Sequence, residues 1–330
     1  MLLAGDIGGT KTILALYTPE DGPRNAIAQF TYPSAKHESL EAVVREFMEQ
    51  TRAKIERATF AVAGPVLGSK AQITNLPWVM EESQLRETLG LSSVKLINDL
   101  VAVGYGVPEL HLEELCTLQE GKPIPGGAIG VVAPGTGLGE TFLIWDGKRY
   151  CANPSEGGHT DFAPTTPLQI GLLRHLQEKF GHVSYERICS GIGLPNIYNY
   201  LKEMGYAAEM EAVTAELEKT SDLTPIIIQA ALAQENPSDL CRTTLDTFVE
   251  VLGAEAGNLA LKILATGGVY LGGGIPPRIL PVLANGTFTR AFRDKGRFCD
   301  LLSQIPVHVI LNPKTGLLGA ASHVLGDFDD

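Results

Sequence analysis

Twice in this sequence an apolar strand runs into a glycine–threonine turn and out again into a second strand. The first copy is Leu2–Ala4, then "GDIGGTKT" (5–12), then "ILALY" (13–17); the second lies within "GGAIGVVAPGTGLGETFLIWDG" (126–147). The matching punctuation predicts two related halves, each built on a sheet. Between the copies, strands and helices alternate. Leu40, Val43, Val44 and Phe47 recur at helical spacing within 39–55; "ATFAVAG" (58–64) is a strand closed by Gly64-Pro65; 81–89 is a short helix and "VKLIND" the next strand. Alternation of this kind argues for an α/β layer fold.

Past the second copy, an amphipathic helix is predicted around 166–181. Residues 196–240 are mostly helical, with Pro225 and Pro237 as breaks. The clearest helix covers 244–265, with Leu245, Phe248, Val249, Leu252, Leu259, Ile263 and Leu264 on one apolar face. "GGVYLGGGIPP" (267–277) follows as a strand ending in glycines, and a last helix begins after Pro313. A chain of 330 residues suggests two domains, and with no low-complexity linker they are expected to be packed rather than tethered.

Within "LINDL" (96–100), a polar pair interrupts apolar residues. Two readings compete. Asn98-Asp99 can cap the helix that opens with Leu100-Val101-Ala102. Alternatively, Asp99 is a base at the carboxyl end of a strand, where open α/β sheets place their ligands.

The glycine turns are open to two readings as well. "GDIGGTKT" lacks the order of a Walker A loop and fits a plain hairpin. Its backbone N–H groups can equally form an anion-binding concavity, with Thr10 and Thr12 as hydroxyl donors and Lys11 as a charge. Asp6 would repel a phosphate unless Mg²⁺ stands between them, directly or through water. "APGTGLGE" (133–140) has the same logic, with Gly135, Gly137 and Gly139 around Thr136, and "GGVYLGGG" can admit a base and ribose or simply pack a helix on a sheet. Three such clusters in one acidic chain point toward a nucleotide site. "NPSEGGHTDFAP" (153–164) sets Glu156 and His159 on a glycine loop, where they can converge on a small polyol. Glu186, before a Gly-rich turn, reads on its own as a surface carboxylate paired with Arg187 or another base.

The net charge of -12 repels phosphate backbones and anionic membranes, so neither nucleic acid nor a membrane is an expected partner. The five cysteines lie more than thirty residues apart, without zinc or redox spacing, as suits reduced thiols in a cytoplasm. The short apolar start lacks the basic leader of a signal peptide.

In order and spacing, "GDIGGTKT", "LINDL", "PGTGLG", "SEGGHTDFAP", "YERICSGIGL" and "GGVYLGGGI" resemble the bacterial glucokinases of the hexokinase type, within the actin-like ATPase superfamily. The resemblance runs from Gly5 to about Gly319. ROK sugar kinases carry a zinc-binding cysteine cluster after a similar segment; none is present, so the zinc-free group is the better match. With the first turn at residue 5, no helix-turn-helix of the ROK repressors is expected ahead of it. The resemblance implies a two-domain actin-like ATPase (ribonuclease H-like) fold: a small α/β domain over 1–109, completed by a C-terminal helix over 313–330, and a larger α+β domain over 110–312, with a cleft between. It implies ATP-dependent phosphorylation of glucose at the 6-hydroxyl, with Asp99 as base and Asn98, Glu156, His159 and Glu186 as sugar ligands. It places ATP phosphates on Asp6, Ile7, Gly8, Gly9, Thr10 and Lys11 and on Gly135, Thr136, Gly137 and Gly139, adenosine at Gly272, Gly273 and Gly274, and Mg²⁺ near Asp6 through water. Ala133 stands where some relatives have glycine. A homodimer is the implied assembly. The rivals are a kinase for another hexose, a glucose-binding regulator without turnover, and a chaperone-like or filament-forming ATPase.

Overall fold

The computed structural model describes residues 1–73 and 76–326. Its contacts divide the chain into two compact units. One comprises Met1–Glu114, Phe142–Pro154 and the chain from Asn312; the other comprises Leu115–Thr141 and Ser155–Leu311.

The first unit begins with β1 (Leu2–Ile7), β2 (Lys11–Tyr17), β3 (Ala28–Pro33), α1 (Leu40–Thr51) and β4 (Arg57–Val62). There follow β5 (Val66–Leu67), β6 (Lys70–Gln72), β7 (Val79–Glu81), α2 (Glu82–Leu89), β8 (Ser93–Asn98) and α3 (Asp99–Gly106). Five strands form a sheet in the order β3-β2-β1-β4-β8, and β5, β6 and β7 form a small sheet of their own. β1 pairs antiparallel with β2 and parallel with β4, which is parallel to β8.

Strand β1 is buried on both faces, and its side-chain alternation sorts the core in two. Leu3 and Ile7 join Leu14, Phe47 and Phe60 on one side. Leu2 and Ala4 join Ala15, Ala61, Ala102, Leu317 and Ala320 on the other. The alanines let two helices approach the sheet closely. Asp6 has the parity of Leu2 and Ala4 and faces the side of α3.

After α3 come β9 (Leu115–Gln119), β10 (Ile129–Pro134), β11 (Leu138–Trp145), β12 (Tyr150–Ser155), α4 (Pro167–Phe180), α5 (Leu194–Glu203), α6 (Glu211–Leu217) and α7 (Thr224–Leu232). Then come α8 (Asp239–Ile263), β13 (Gly268–Leu271), α9 (Leu280–Leu283), α10 (Thr287–Arg293), α11 (Cys299–Ser303) and β14 (Val307–Ile310). The six-stranded sheet runs β12-β11-β10-β13-β14-β9, with β10, β13 and β14 parallel. Its core gathers Val132, Leu138, Ile188, Phe248, Leu252 and Val269 around α8.

Several boundaries differ from the expectation. Residues 142–154 group with the first unit, where the Tyr105 hydroxyl accepts a backbone hydrogen bond from Ala152. The final helix, α12 (Thr315–Leu325), packs in the first unit; positions 327–330 of the helix expected over 313–330 lie outside the described residues. Helix α8 starts earlier than expected because Ser238 caps it, accepting from the Cys241 N–H at 3.3 Å. Pro225 opens α7 rather than breaking a helix, since the first turn needs no N–H from that position. Among the described residues no helix is long and apolar enough to cross a membrane.

Candidate active site

In the first unit, the strand registers bring the expected residues to one end of the sheet. Ile7 stands opposite Val62, and Val62 opposite Asn98. The turn after β1 and the start of α3 therefore leave the sheet at the same level, the carboxyl ends of three parallel strands. This is where such sheets receive ligands.

At "LINDL" the structure shows the cap and sets Asp99 just past the end of β8. Asn98 is the helix cap: its Oδ1 accepts from the N–H of Leu100 at 2.9 Å and of Val101 at 3.3 Å. Its Nδ2 donates to the Gly64 carbonyl at 3.1 Å, tying β8 to the end of β4. Asp99 is the first helical residue, and its Oδ1 also accepts from Leu100 N–H, at 3.0 Å. Burial pushes the Asp99 carboxyl up to about 6, against the pull of the Leu100 hydrogen bond and with help from the charge of Asp6. A carboxylate held this way is ionised at neutral pH yet more basic than an exposed one.

The "GDIGGTKT" turn is indeed a hairpin, closed by Gly8 N–H donating to the Lys11 carbonyl at 3.0 Å. Ser34, which no sequence signal picked out, pins it. The Ser34 hydroxyl donates to the Gly8 carbonyl at 2.7 Å and lies 3.0 Å from the Thr12 hydroxyl. Thr12 is thus buried and bonded away from the turn's outer face, contrary to its expected use as a donor there. Ile7 is fully buried, so only its backbone is available. Gly9, Thr10 and Lys11 are at least partly exposed. Asp6 is half-buried, and burial raises its carboxyl against the attraction of Lys11. Among the described residues no group of three or more His, Cys, Asp or Glu side chains can hold a metal. One carboxylate beside a phosphate turn fits an ion that arrives with a nucleotide and keeps most of its waters.

In the second unit, a set of backbone bonds gathers the remaining candidates. Phe162 N–H donates to Val183 and Tyr185 N–H to Thr160, at 2.9 and 3.1 Å. This zips the segment after His159 onto the segment before Glu186. Glu186 is not the Arg187-paired surface carboxylate read from its neighbours: its Oε2 accepts from Leu138 N–H at 3.0 Å, on the second glycine turn. Glu156 precedes a single 3₁₀ turn (Gly157–His159) that His159 ends, and both are exposed. The Gly135 carbonyl accepts from Gly191 N–H at 2.8 Å, so "CSGIG" backs the same turn. Gly273 lies beside it in the left-handed region, at φ 80°. A side chain there would overlap the Pro134 carbonyl oxygen, which explains a glycine after β13. Thr136 and Gly274 are exposed, whereas Gly135, Gly137 and Gly139 are partly buried and Gly272 is buried.

Two sheet-based units, each offering a glycine turn at a strand end, fit the actin-like ATPase fold of the sugar kinases. Comparison with known proteins agrees. A family model described as Glucokinase matches residues 3–326. The glucokinase of Nostoc punctiforme is 44% identical over 97% of this chain and 98% of its own length. The Tolumonas auensis glucokinase is 38% identical over 98% and 96%. Among solved structures, a glucokinase from an Antarctic psychrotroph superposes with a TM-score of 0.82 at 30% identity, covering 98% of both chains. A Balamuthia mandrillaris glucokinase in complex with glucose, at TM-score 0.77 and 22% identity over 98% and 93%, shares the fold. The chain belongs to the glucokinase family of hexose kinases.

Proposed function

We propose that the protein transfers the γ-phosphoryl group of ATP to the 6-hydroxyl of D-glucose, giving glucose 6-phosphate and ADP, with Asp99 as general base. The observation that supports this most is the state of Asp99: half-buried at the end of a parallel strand, with its carboxyl raised to about 6 by burial. Asp99 accepts the hydroxyl proton as the sugar oxygen attacks phosphorus in line and the bond to ADP breaks. In a loose transition state positioning and electrostatics do most of the work, and the proton leaves late, so a strong base is not required.

Asn98, Glu156, His159 and Glu186 hold the sugar hydroxyls. The backbone of Asp6–Lys11 and of Gly135–Gly139 receives the phosphates, and Gly272–Gly274 the adenosine. Bound Mg²⁺ would neutralise phosphate charge, with Asp6 holding it through water. The five free cysteines suit a reducing cytoplasm. The reading includes a homodimer, on the family resemblance alone, and a place in glycolysis.

The test is a coupled assay of sugar-dependent ADP release with glucose, fructose and mannose in parallel. A site that pairs each hydroxyl can reject an analogue lacking a partner by about 10⁴–10⁵-fold. Selective turnover of glucose is expected. Preference for fructose or mannose would move the substrate while keeping the base, and no turnover in ATP-binding protein would favour a sugar-binding regulator.

A further inference from the structure

Behind the loop that carries Glu156 and His159 lies a pair of acids that the reaction does not use. Glu140, on β11, is 2% exposed, and Glu255, on α8, is fully buried. Each has an Oε1 atom buried without a hydrogen-bond partner. Native interiors rarely leave such oxygens unsatisfied. Glu255 has company: Asn258 Nδ2 donates to its Oε2 at 2.9 Å, and the Lys262 ammonium stands 3.6 Å from its Oε1. Asn258 also bonds the Tyr185 hydroxyl at 2.9 Å and accepts from Lys295 Nζ at 2.7 Å.

The other side of Glu140 meets the loop. A methyl group added at Gly157 would overlap Glu140 Oε2, and one at Gly158 would overlap the Leu138 carbonyl. The start of β11 is therefore the floor under the turn at 157–159. The string Glu255–Asn258–Tyr185 ends one residue before Glu186. Both sugar-facing segments of this unit thus rest on the same buried acid pair.

We propose that Glu140 is a positioning residue for the sugar site: enclosed in its protonated form, its carboxyl group supports Gly157 and so fixes Glu156 and His159 for binding. This rests on the reading above that Glu156 and His159 hold the sugar. A proton on Glu140 spares this enclosure a buried charge. Losing it leaves two carboxylates enclosed together, a costly arrangement in a low-dielectric interior.

The proton is in place at neutral pH, because burial, reinforced by the charge of Glu255 and opposed by Lys262, raises the Glu140 carboxyl to about 8. The groups facing the pair are Glu255, Asn258 and Lys262 on α8, Tyr185 and Cys189 beside it, and Lys295 with Asp294 beyond α10. Burial pushes the Tyr185 hydroxyl and the Cys189 thiol up, so neither gains charge near pH 8. Burial lowers the Lys295 ammonium, opposed by the charges of Glu255 and Asp294. For Glu140 the sign is that of a raised acid. The stability it contributes is complete below the ordinary carboxyl range and is lost as pH rises through about 8.

Titration calorimetry of glucose on the whole protein from pH 6.5 to 9.5 tests this. The wild-type Kd is expected to rise above pH 8, by about tenfold for each unit by which glucose raises the Glu140 pKa. Glu140→Gln, which keeps the shape and cannot ionise, is expected to give a flat profile. A flat wild-type profile overturns the proposal, as does an unchanged rise in E140Q. Glu156→Gln separates the two ideas. If it weakens glucose binding while the rise persists in E140Q, the site reading stands and this proposal falls. If it leaves glucose affinity unchanged, the loop is not the sugar site and both fall.

Discussion

Asp99→Asn is expected to lower the turnover of glucose by about 10²–10⁴-fold or more, the usual worth of a general base, while glucose binding is partly kept. The substitution preserves size and can still hydrogen-bond a sugar hydroxyl, but it cannot take its proton. The pH profile gives a second signature. Because burial raises the Asp99 carboxyl to about 6, kcat/KM of the wild type is expected to fall on the acid side as pH drops through about 6. That limb belongs to the free enzyme and should be missing from the residual activity of D99N. Steady-state kinetics between pH 5 and 8 checks both. Wild-type-like turnover by D99N would remove Asp99 from the chemistry.

The largest stability effect is expected at Gly319. This residue lies where α12 crosses α3, and a methyl group there would overlap the Ala102 carbonyl oxygen and press on the Gly106 N–H. The obstacle is backbone, which cannot rotate aside, so the helices must separate. Overpacking typically costs about 1–3 kcal/mol, and Gly319→Ala is expected at the top of that range despite alanine's better helix propensity. Gly316→Ala is the internal control, since its added methyl would meet only Val103 Cγ2, at 3.9 Å. It should be neutral or slightly stabilising. Both tryptophans, Trp78 and Trp145, belong to the first unit. Urea unfolding followed by tryptophan fluorescence therefore reports that unit directly. Equal stability of G319A and G316A would refute the close-crossing argument. Because α3 begins at Asp99, G319A should also lose activity by displacing Asp99.

Much of the candidate site can be read in the sequence because it is local. A glycine turn needs only consecutive residues, and Asn98-Asp99 stands out because polar residues interrupt an apolar run. The two readings of that pair do not exclude one another: the cap is Asn98, and capping is what seats Asp99 at the strand end. The resemblance implies the roles proposed for these residues, which spacing alone does not carry. Other features depend on partners remote in sequence. Ser34 holds the first turn through Gly8 and Thr12, and nothing in "YPSAK" announces it. Glu140 looks like an ordinary strand residue until α8 and the 157–159 turn enclose it.

The fold is legible to a similar degree, for similar reasons. The long amphipathic helices and the buried strands β1, β4 and β10 carry strong periodic or apolar signals. Edge strand β3 is largely exposed and ends in proline, so it shows no alternation. Strands β5, β6 and β7 hold two or three residues each, too few for any period to register. The arm at 142–154 joins the first unit through tertiary contacts that local patterning does not encode.

The most direct test of the account is the identity of the product. Uniformly ¹³C-labelled glucose incubated with Mg-ATP and the wild-type protein is followed by ¹³C and ³¹P NMR. A phosphate ester at carbon 6 only is expected, with ADP formed in equal amount. An ester at another carbon, or ADP released without any sugar phosphate, would contradict it.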